Sequence, residues 1–203
     1  TYFLKERQYF ESLEKAQNPK TLVVACCDSR VDPAILLHCK PGDLFVIRNV
    51  AALVPAVTQA SNPCSVMSAI EYGVKHLNVE HIVVMGHSHC GGIHGLMAPE
   101  SIAGETYIQD WVGIASPALE RLQAMTGDED EKTRSRHCEE GAVLISLDNL
   151  LSYPWIAERV KNGQLKLHAL YYDLSEGNLY RFSPESEDFE LLFHSEKIDV
   201  CDR

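Results

Sequence analysis

Two short clusters hold the residues with the most chemistry. One is Cys26-Cys27-Asp28-Ser29-Arg30; the other is Gly86-His87-Ser88-His89-Cys90-Gly91-Gly92. Thiolate and imidazole are the donors zinc prefers, in a tetrahedron at roughly 2.3 Å for sulfur and 2.0–2.1 Å for nitrogen. His87 and Cys90 stand three apart across a predicted turn, so both side chains can converge. Cys26 would come from a neighbouring strand tip. Each cluster alone is a weak signal, because His-x-x-Cys pairs arise by chance and a strand-end cysteine is usually a small hydrophobe. Together they give three protein ligands and a free fourth position, the arrangement of a catalytic zinc. A closed structural zinc needs a fourth protein ligand, and Asp28 could supply it.

Two thiolates cancel the charge of Zn²⁺, so such an ion acidifies its water less than one held by neutral ligands. A nearby group should therefore accept a hydrogen bond from the hydroxide. Asp28 is two residues past Cys26, and Arg30, two further on, can clamp its carboxylate through two hydrogen bonds and keep it ionised. A local turn salt bridge is the equal alternative. His89 and His94 flank the site as surface histidines or proton shuttles. Cys27 should point to the opposite face from Cys26 and read as core. His137-Cys138 and Tyr171-Tyr172 read as structural.

The elements that would position these residues alternate in type. Thr21–Cys27, Leu44–Ile47 and His81–Gly86 are short apolar runs that read as buried strands. Leu165–Tyr172 is a fourth. A turn at Ser175–Asn178 leads into Leu179–Phe182, and Phe189–Phe193 adds a further short strand. Asp32-Pro33 and Asn62-Pro63 carry the helix N-cap and first-turn proline pattern. Helices follow over Tyr2–Gln17, from Asn62-Pro63 to His76, from Gly91-Gly92 to Met97, over Tyr107–Met125 with Pro117 either kinking or restarting it, and over Glu129–Leu151. The last shows an apolar face at Ala142, Leu144, Ile145, Leu147 and Leu150. The fold class is α/β: a mostly parallel central sheet flanked by helices, with an antiparallel edge hairpin near the C-terminus and an N-terminal helical arm. Ligand sites in such sheets lie beyond the carboxyl ends of the strands, where both clusters fall.

The 203 residues are 45% hydrophobic, enough for one core, so residues 1–203 read as one domain with an arm at 1–18. A net charge of -11 argues against nucleic acid and anionic membranes as partners. No apolar run approaches the roughly 20 residues of a bilayer span. Seven scattered cysteines do not read as a disulfide framework. They fit a reducing compartment, the cytoplasm or an organelle matrix.

Cys-x-Asp-Ser-Arg followed by Gly-His-x-x-Cys-Gly-Gly resembles the signature of the β-class carbonic anhydrases. Pro41–Ala51, Ala69–Tyr72, Cys138–Glu140, Asn149–Pro154 and Leu167–Asp173 are similar to that family as well, so the resemblance runs from about Tyr9 to Phe193. It implies reversible hydration of carbon dioxide to bicarbonate and a proton, by attack of a zinc-bound hydroxide. It places one Zn²⁺ per subunit on Cys26, His87 and Cys90, and gives Asp28 and Arg30 the role of orienting the hydroxide. It implies a homodimer or a dimer of dimers, with the N-terminal helix on the partner. In the subtype whose aspartate closes onto zinc, a tryptophan stands three residues before the first cysteine, where this chain has Val23. In the plant-like subtype a glutamine nine residues before that cysteine reaches the substrate from the partner, and this chain has Gln17 there. The resemblance therefore favours an open site. It further assigns Phe45 and Val50 to an apolar substrate wall. The amides of Gly91 and Gly92, at a predicted helix N-terminus, are placed to hold the developing bicarbonate.

Three other readings share these motifs. One is a zinc hydrolase acting on carbonyl sulfide or carbon disulfide. Another is a non-catalytic module stabilised by a four-ligand zinc. A Cys₂His alcohol dehydrogenase site would need a Gly-x-Gly-x-x-Gly turn, which the sequence lacks.

Overall fold

The computed structural model describes residues 2–60, 64–125, 127 and 129–194. Six strands form one sheet: β1 (Thr21–Cys26), β2 (Leu44–Asn49), β3 (His81–His87), β4 (Lys166–Asp173), β5 (Asn178–Ser183) and β6 (Asp188–Phe193). Their order is β2-β1-β3-β4-β5-β6. The pairs β1–β2, β1–β3 and β3–β4 are parallel; β4–β5 and β5–β6 are antiparallel. The chain leaves β1 to one side for β2, then returns to the other side for β3. The crevice between the carboxyl ends of β1 and β3 is thus a topological switch point, and Cys26 and His87 are the last residues of those two strands.

The helices are α1 (Tyr2–Lys5), α2 (Arg7–Leu13), α3 (Pro33–Leu36), α4 (Ser65–Lys75), α5 (Gly91–Met97), α6 (Thr106–Val112), α7 (Ser116–Ala124), α8 (Glu131–Leu151) and α9 (Pro154–Lys161). The main core joins Leu22 and Val24 of β1, Ile82 and Val84 of β3, Ile70 and Val74 of α4, and Leu150 and Ile156 of α8 and α9. A second core, with Val31, Leu53, Ile93, Leu122 and Ala142, includes Cys26, Cys90 and Cys138.

Asp32 caps α3 as expected, accepting from the Ala34 and Ile35 amides at 3.0 and 3.3 Å. The Asn62-Pro63 cap lies outside the described residues, and α4 begins at Ser65. The arm departs from expectation. The single helix over Tyr2–Gln17 is two short helices ending at Leu13, and α2 buries no residue; Tyr9 Oη ties it to the Pro41 carbonyl at 2.7 Å. Pro117 restarts the helix, one of its two expected roles: it lies in the first turn of α7, after a 3₁₀ turn over Gly113–Ala115. Pro154 likewise opens α9, which hydropathy alone did not announce.

The long helix α8 is also rotated from its apolar reading. Its buried residues are Cys138, Glu139, Glu140, Ala142, Val143, Ile145, Ser146 and Leu150, while Leu144 and Leu147 are half-buried. Polar groups face inward because the segment after β2 is buried but irregular, so its backbone needs partners. Ser146 Oγ accepts from the Val54 amide at 3.2 Å, Asn149 Nδ2 donates to the Val54 carbonyl at 2.8 Å, and Tyr153 Oη donates to the Pro55 carbonyl at 3.1 Å.

Helix α8 approaches β3 closely because residue 86 is glycine. A Cβ there would strike the Val143 side chain, itself buried. Gly86→Ala should cost about 1–3 kcal/mol by overpacking, read as a fall in melting temperature. An unchanged melting temperature would show that the α8–β3 contact is looser than described.

Candidate metal centre

Cys26 closes β1, His87 closes β3, and Cys90 is the N-cap of α5. One ligand atom from each lies within 4.8 Å of the others, and all three residues are buried. It is the only such grouping of three His, Cys, Asp or Glu residues among the described residues. The tight turn that brings Cys90 back towards His87 requires His89 to adopt a left-handed φ of 57°.

The donor chemistry fits a zinc ion. Nδ1 of His87 lies 2.9 Å from the Ser88 carbonyl, so it carries the proton and donates there. That leaves the Nε2 lone pair facing the sulfurs, and Nε2 is buried with no hydrogen-bond partner. A buried nitrogen of this kind is costly unless something binds it. Cys26 Sγ accepts from the amides of Asp28 and Ala51, each at 3.4 Å. The Cys90 thiol, ahead of the opposing effect of burial and with help from those amides, draws the Cys26 thiol well below its ordinary range. Cys90 is driven the other way by the same bond and by its own burial. Two sulfurs this close cannot both ionise cheaply unless a cation sits between them.

The residues around the cluster hold it rigidly. Asp28 and Arg30 form the expected clamp: Nε donates to Oδ1 at 2.9 Å and Nη2 to Oδ2 at 2.6 Å, and the Arg30 amide adds a bond to Oδ1 at 2.9 Å. The Arg30 hydrogen bond, outweighing desolvation, holds the Asp28 carboxyl far below its ordinary range. Arg30 Nη2 also donates to the His89 carbonyl at 3.1 Å, tying one cluster to the other. Arg48 on β2 does similar work beneath. It donates to the carbonyls of Cys26 at 2.9 Å, Asp28 at 2.6 Å and Val31 at 3.1 Å.

The turn after β2 carries two adjacent left-handed alanines, Ala51 at φ 63° and Ala52 at φ 54°. Asn49 holds it, with Oδ1 accepting from the Leu53 amide at 2.8 Å and Nδ2 donating to the Leu53 carbonyl at 2.9 Å. This conformation is what aims the Ala51 amide at Cys26. Local strain held by surrounding bonds is typical of functional sites.

The other expected site residues divide. Val50 lies beside the cluster, against Gly92, where a Cβ would collide with it. Gly91 is exposed at the first position of α5. Gln17 and Phe45 are not brought to the cluster within one chain. Gln17 is exposed before the amino end of β1, whereas Cys26 lies at its other end. Phe45 pairs with Leu22 rather than Cys26 and packs against Tyr72 at 6.0 Å. Cys27 is exposed instead of core, because β1 and its alternation end at Cys26. His94 is exposed, and His89 reaches Ser175 Oγ at 3.3 Å.

One charged neighbour escaped the sequence reading. Glu139 of α8 is 5% exposed. Its Oε1 accepts from the Cys90 amide at 3.0 Å and its Oε2 from Tyr171 Oη at 2.7 Å. Burial raises its pKa despite those bonds. In the sequence it falls in the Cys138–Glu140 stretch noted for its family resemblance, with no role of its own assigned.

Known proteins are similar to this chain in sequence and fold. A family model described as carbonic anhydrase matches residues 21–179. Beta carbonic anhydrase 5, a chloroplastic protein of Arabidopsis thaliana, is 41% identical over 172 residues, which are 84% of this chain and 56% of that protein. Beta carbonic anhydrase 3 of the same plant is 42% identical over 176 residues, 85% of this chain and 68% of that protein. The chain thus spans about half to two thirds of the length of these curated relatives. The solved structure of the β-carbonic anhydrase CcaA superimposes with a TM-score of 0.89 at 31% identity, covering 94% of this chain and 85% of that one. A structure from a study of two tetrameric β-carbonic anhydrases of the filamentous ascomycete Sordaria macrospora gives 0.72 at 30% identity, covering 94% and 89%. With its six-stranded sheet and its Cys–His–Cys cluster at the switch point, the chain belongs to the β class of the carbonic anhydrase family.

Proposed function

We propose that this chain catalyses the reversible hydration of carbon dioxide to bicarbonate and a proton, with one zinc ion on Cys26, His87 and Cys90. The observation that carries the reading is the buried, unpartnered Nε2 of His87 facing two sulfurs. A zinc ion held there supplies Lewis acidity, making hydroxide available near neutral pH as the nucleophile for carbon dioxide.

The chain's own residues then orient the reaction. Asp28 keeps both oxygens on Arg30, which leaves it an ionised acceptor rather than a fourth metal ligand. It takes a hydrogen bond from the attacking hydroxide and so turns a lone pair towards the carbon. Val50 gives the apolar wall that holds carbon dioxide. The amides of Gly91 and Gly92 at the start of α5 stabilise the developing bicarbonate. Gln17 and Phe45, remote from the cluster in their own chain, act on the site of a second copy. The exposed Phe3 and Leu4 of the arm would be covered in such an assembly, a homodimer or a dimer of dimers.

No helix among the described residues is long and apolar enough to cross a membrane. Cys26, Cys27, Cys39, Cys64, Cys90 and Cys138 are free thiols, which suits a reducing compartment, cytoplasmic or an organelle matrix.

The direct test is stopped-flow carbon dioxide hydration from about pH 6.5 to 9 with zinc measured on the same sample. The reading expects one zinc per chain and activity that survives to the acid end of the range. Zinc with no hydration at any pH would point to a structural metal instead. Asp28→Asn should keep its zinc and lose about 100-fold in turnover, the scale of a misoriented reactant; an undiminished rate would remove its role. Cys90→Ser should lose most of the metal, checked by elemental analysis of the purified variant.

A further inference from the structure

Among the described residues, no cation forms an ion pair with the buried carboxylate of Glu139. The nearest arginine on its helix, Arg136, pairs instead with Glu140 at 2.8 Å and stacks on the rings of Tyr180 and Tyr171 at 4.4 and 5.3 Å. A buried carboxylate needs its hydrogen bonds met, and both oxygens of Glu139 are met by groups at or beside the cluster.

We infer that Glu139 and Tyr171 are a positioning pair for the metal centre: Tyr171 orients the carboxylate, and the carboxylate fixes the Cys90 backbone so that its sulfur meets Cys26 and His87. The inference rests on the metal-centre reading proposed above. Its geometry is independent of the ion. Glu139 Oε1 takes the Cys90 amide and Oε2 takes the Tyr171 hydroxyl, so both oxygens are used and the side chain has one orientation. Cys90 is the N-cap of α5, with φ -72° and ψ 117°. Its amide points away from the helix it starts and has no partner within it, so the bond from Glu139 sets how the turn is rotated. The neighbouring elements already lock the donors and acceptor in place. Tyr171 is 1% exposed on β4, where Gly86 and His87 of β3 pair with Tyr171 and Tyr172. Helix α8 is drawn onto β3 at Gly86. Partners of this kind, one bond removed from a metal, typically change its affinity 10–100-fold.

The test measures zinc affinity by competition with a chromophoric chelator, well below the melting temperature, on the whole chain and four variants. Glu139→Ala should weaken zinc binding by about 10–100-fold. Tyr171→Phe, which removes only the hydroxyl, should weaken it in the same direction. Glu139→Gln keeps an oxygen for the Cys90 amide and should restore affinity towards that of the unaltered chain. Ile156→Val, a buried change in the main core, should lower the melting temperature and leave affinity unchanged. Cobalt(II) absorption gives a second readout: the thiolate charge-transfer band should shift in Glu139→Ala and not in Ile156→Val. Folded Glu139→Ala and Tyr171→Phe proteins that bind zinc as tightly as the unaltered chain would overturn the positioning role and leave the metal centre standing. Equal weakening in Ile156→Val would overturn it too, by showing that any loss of stability has the same effect. If Glu139→Ala does not fold, Tyr171→Phe and Glu139→Gln decide the matter. An unaltered chain that binds no zinc would overturn the metal centre and the inference together.

Discussion

Two cysteine sulfurs and an imidazole nitrogen share a space only a few ångströms across, and this crowding governs the site. Like charges about 4 Å apart repel by about 4 kcal/mol at an effective dielectric constant of 20. The cluster can carry two thiolates only with a cation in its midst, and a dication with three ligands leaves one position for chemistry. The backbone around it is arranged to make that state favourable. Amides of Asp28 and Ala51 face the Cys26 sulfur, and the Ser88 carbonyl selects the His87 tautomer.

Holding such a cluster demands a scaffold that cannot relax. The parallel pairing of β1 with β3 puts Cys26 and His87 at one crevice. The turn after β2 adopts two left-handed alanines to present one amide to Cys26. That turn is buried and irregular, so α8 gives up apolar positions to supply Ser146 and Asn149 to its backbone. The same helix brings Glu139 beneath Cys90. Gly86 is what lets α8 come near enough. Ser146, Asn149 and Glu139 on α8 thus serve the backbone of the segments that position the Cys26–His87–Cys90 cluster.

The strands were legible because short β-branched runs bounded by turn residues have few other structures open to them. The Cys26–His87–Cys90 cluster was legible because Cys and His at two strand tips form a donor set with a known preference. Arg48 and Glu139 were not, since a lone charged residue carries no periodic signature and its use depends on neighbours distant in sequence: residues 26 to 32 for Arg48, and residues 90 and 171 for Glu139. The arm misread for a related reason. Phe3, Phe10 and Leu13 mark a helix with an apolar side, but the segment breaks at Glu6 into two short helices. Gln17 and Phe45 lie apart from the cluster within the chain, Gln17 before the amino end of β1 and Phe45 beside Leu22.

The claim at the centre of this account is a three-ligand metal site with Asp28 held off the ion by Arg30. It is tested most directly by a crystal structure of the purified protein with anomalous data at the zinc edge. The account predicts one zinc peak per chain, bonded to Cys26 Sγ, His87 Nε2 and Cys90 Sγ, with a solvent atom as fourth ligand and the Asp28–Arg30 clamp intact. Zinc located elsewhere, or an Asp28 oxygen in the fourth position at neutral pH, would contradict it.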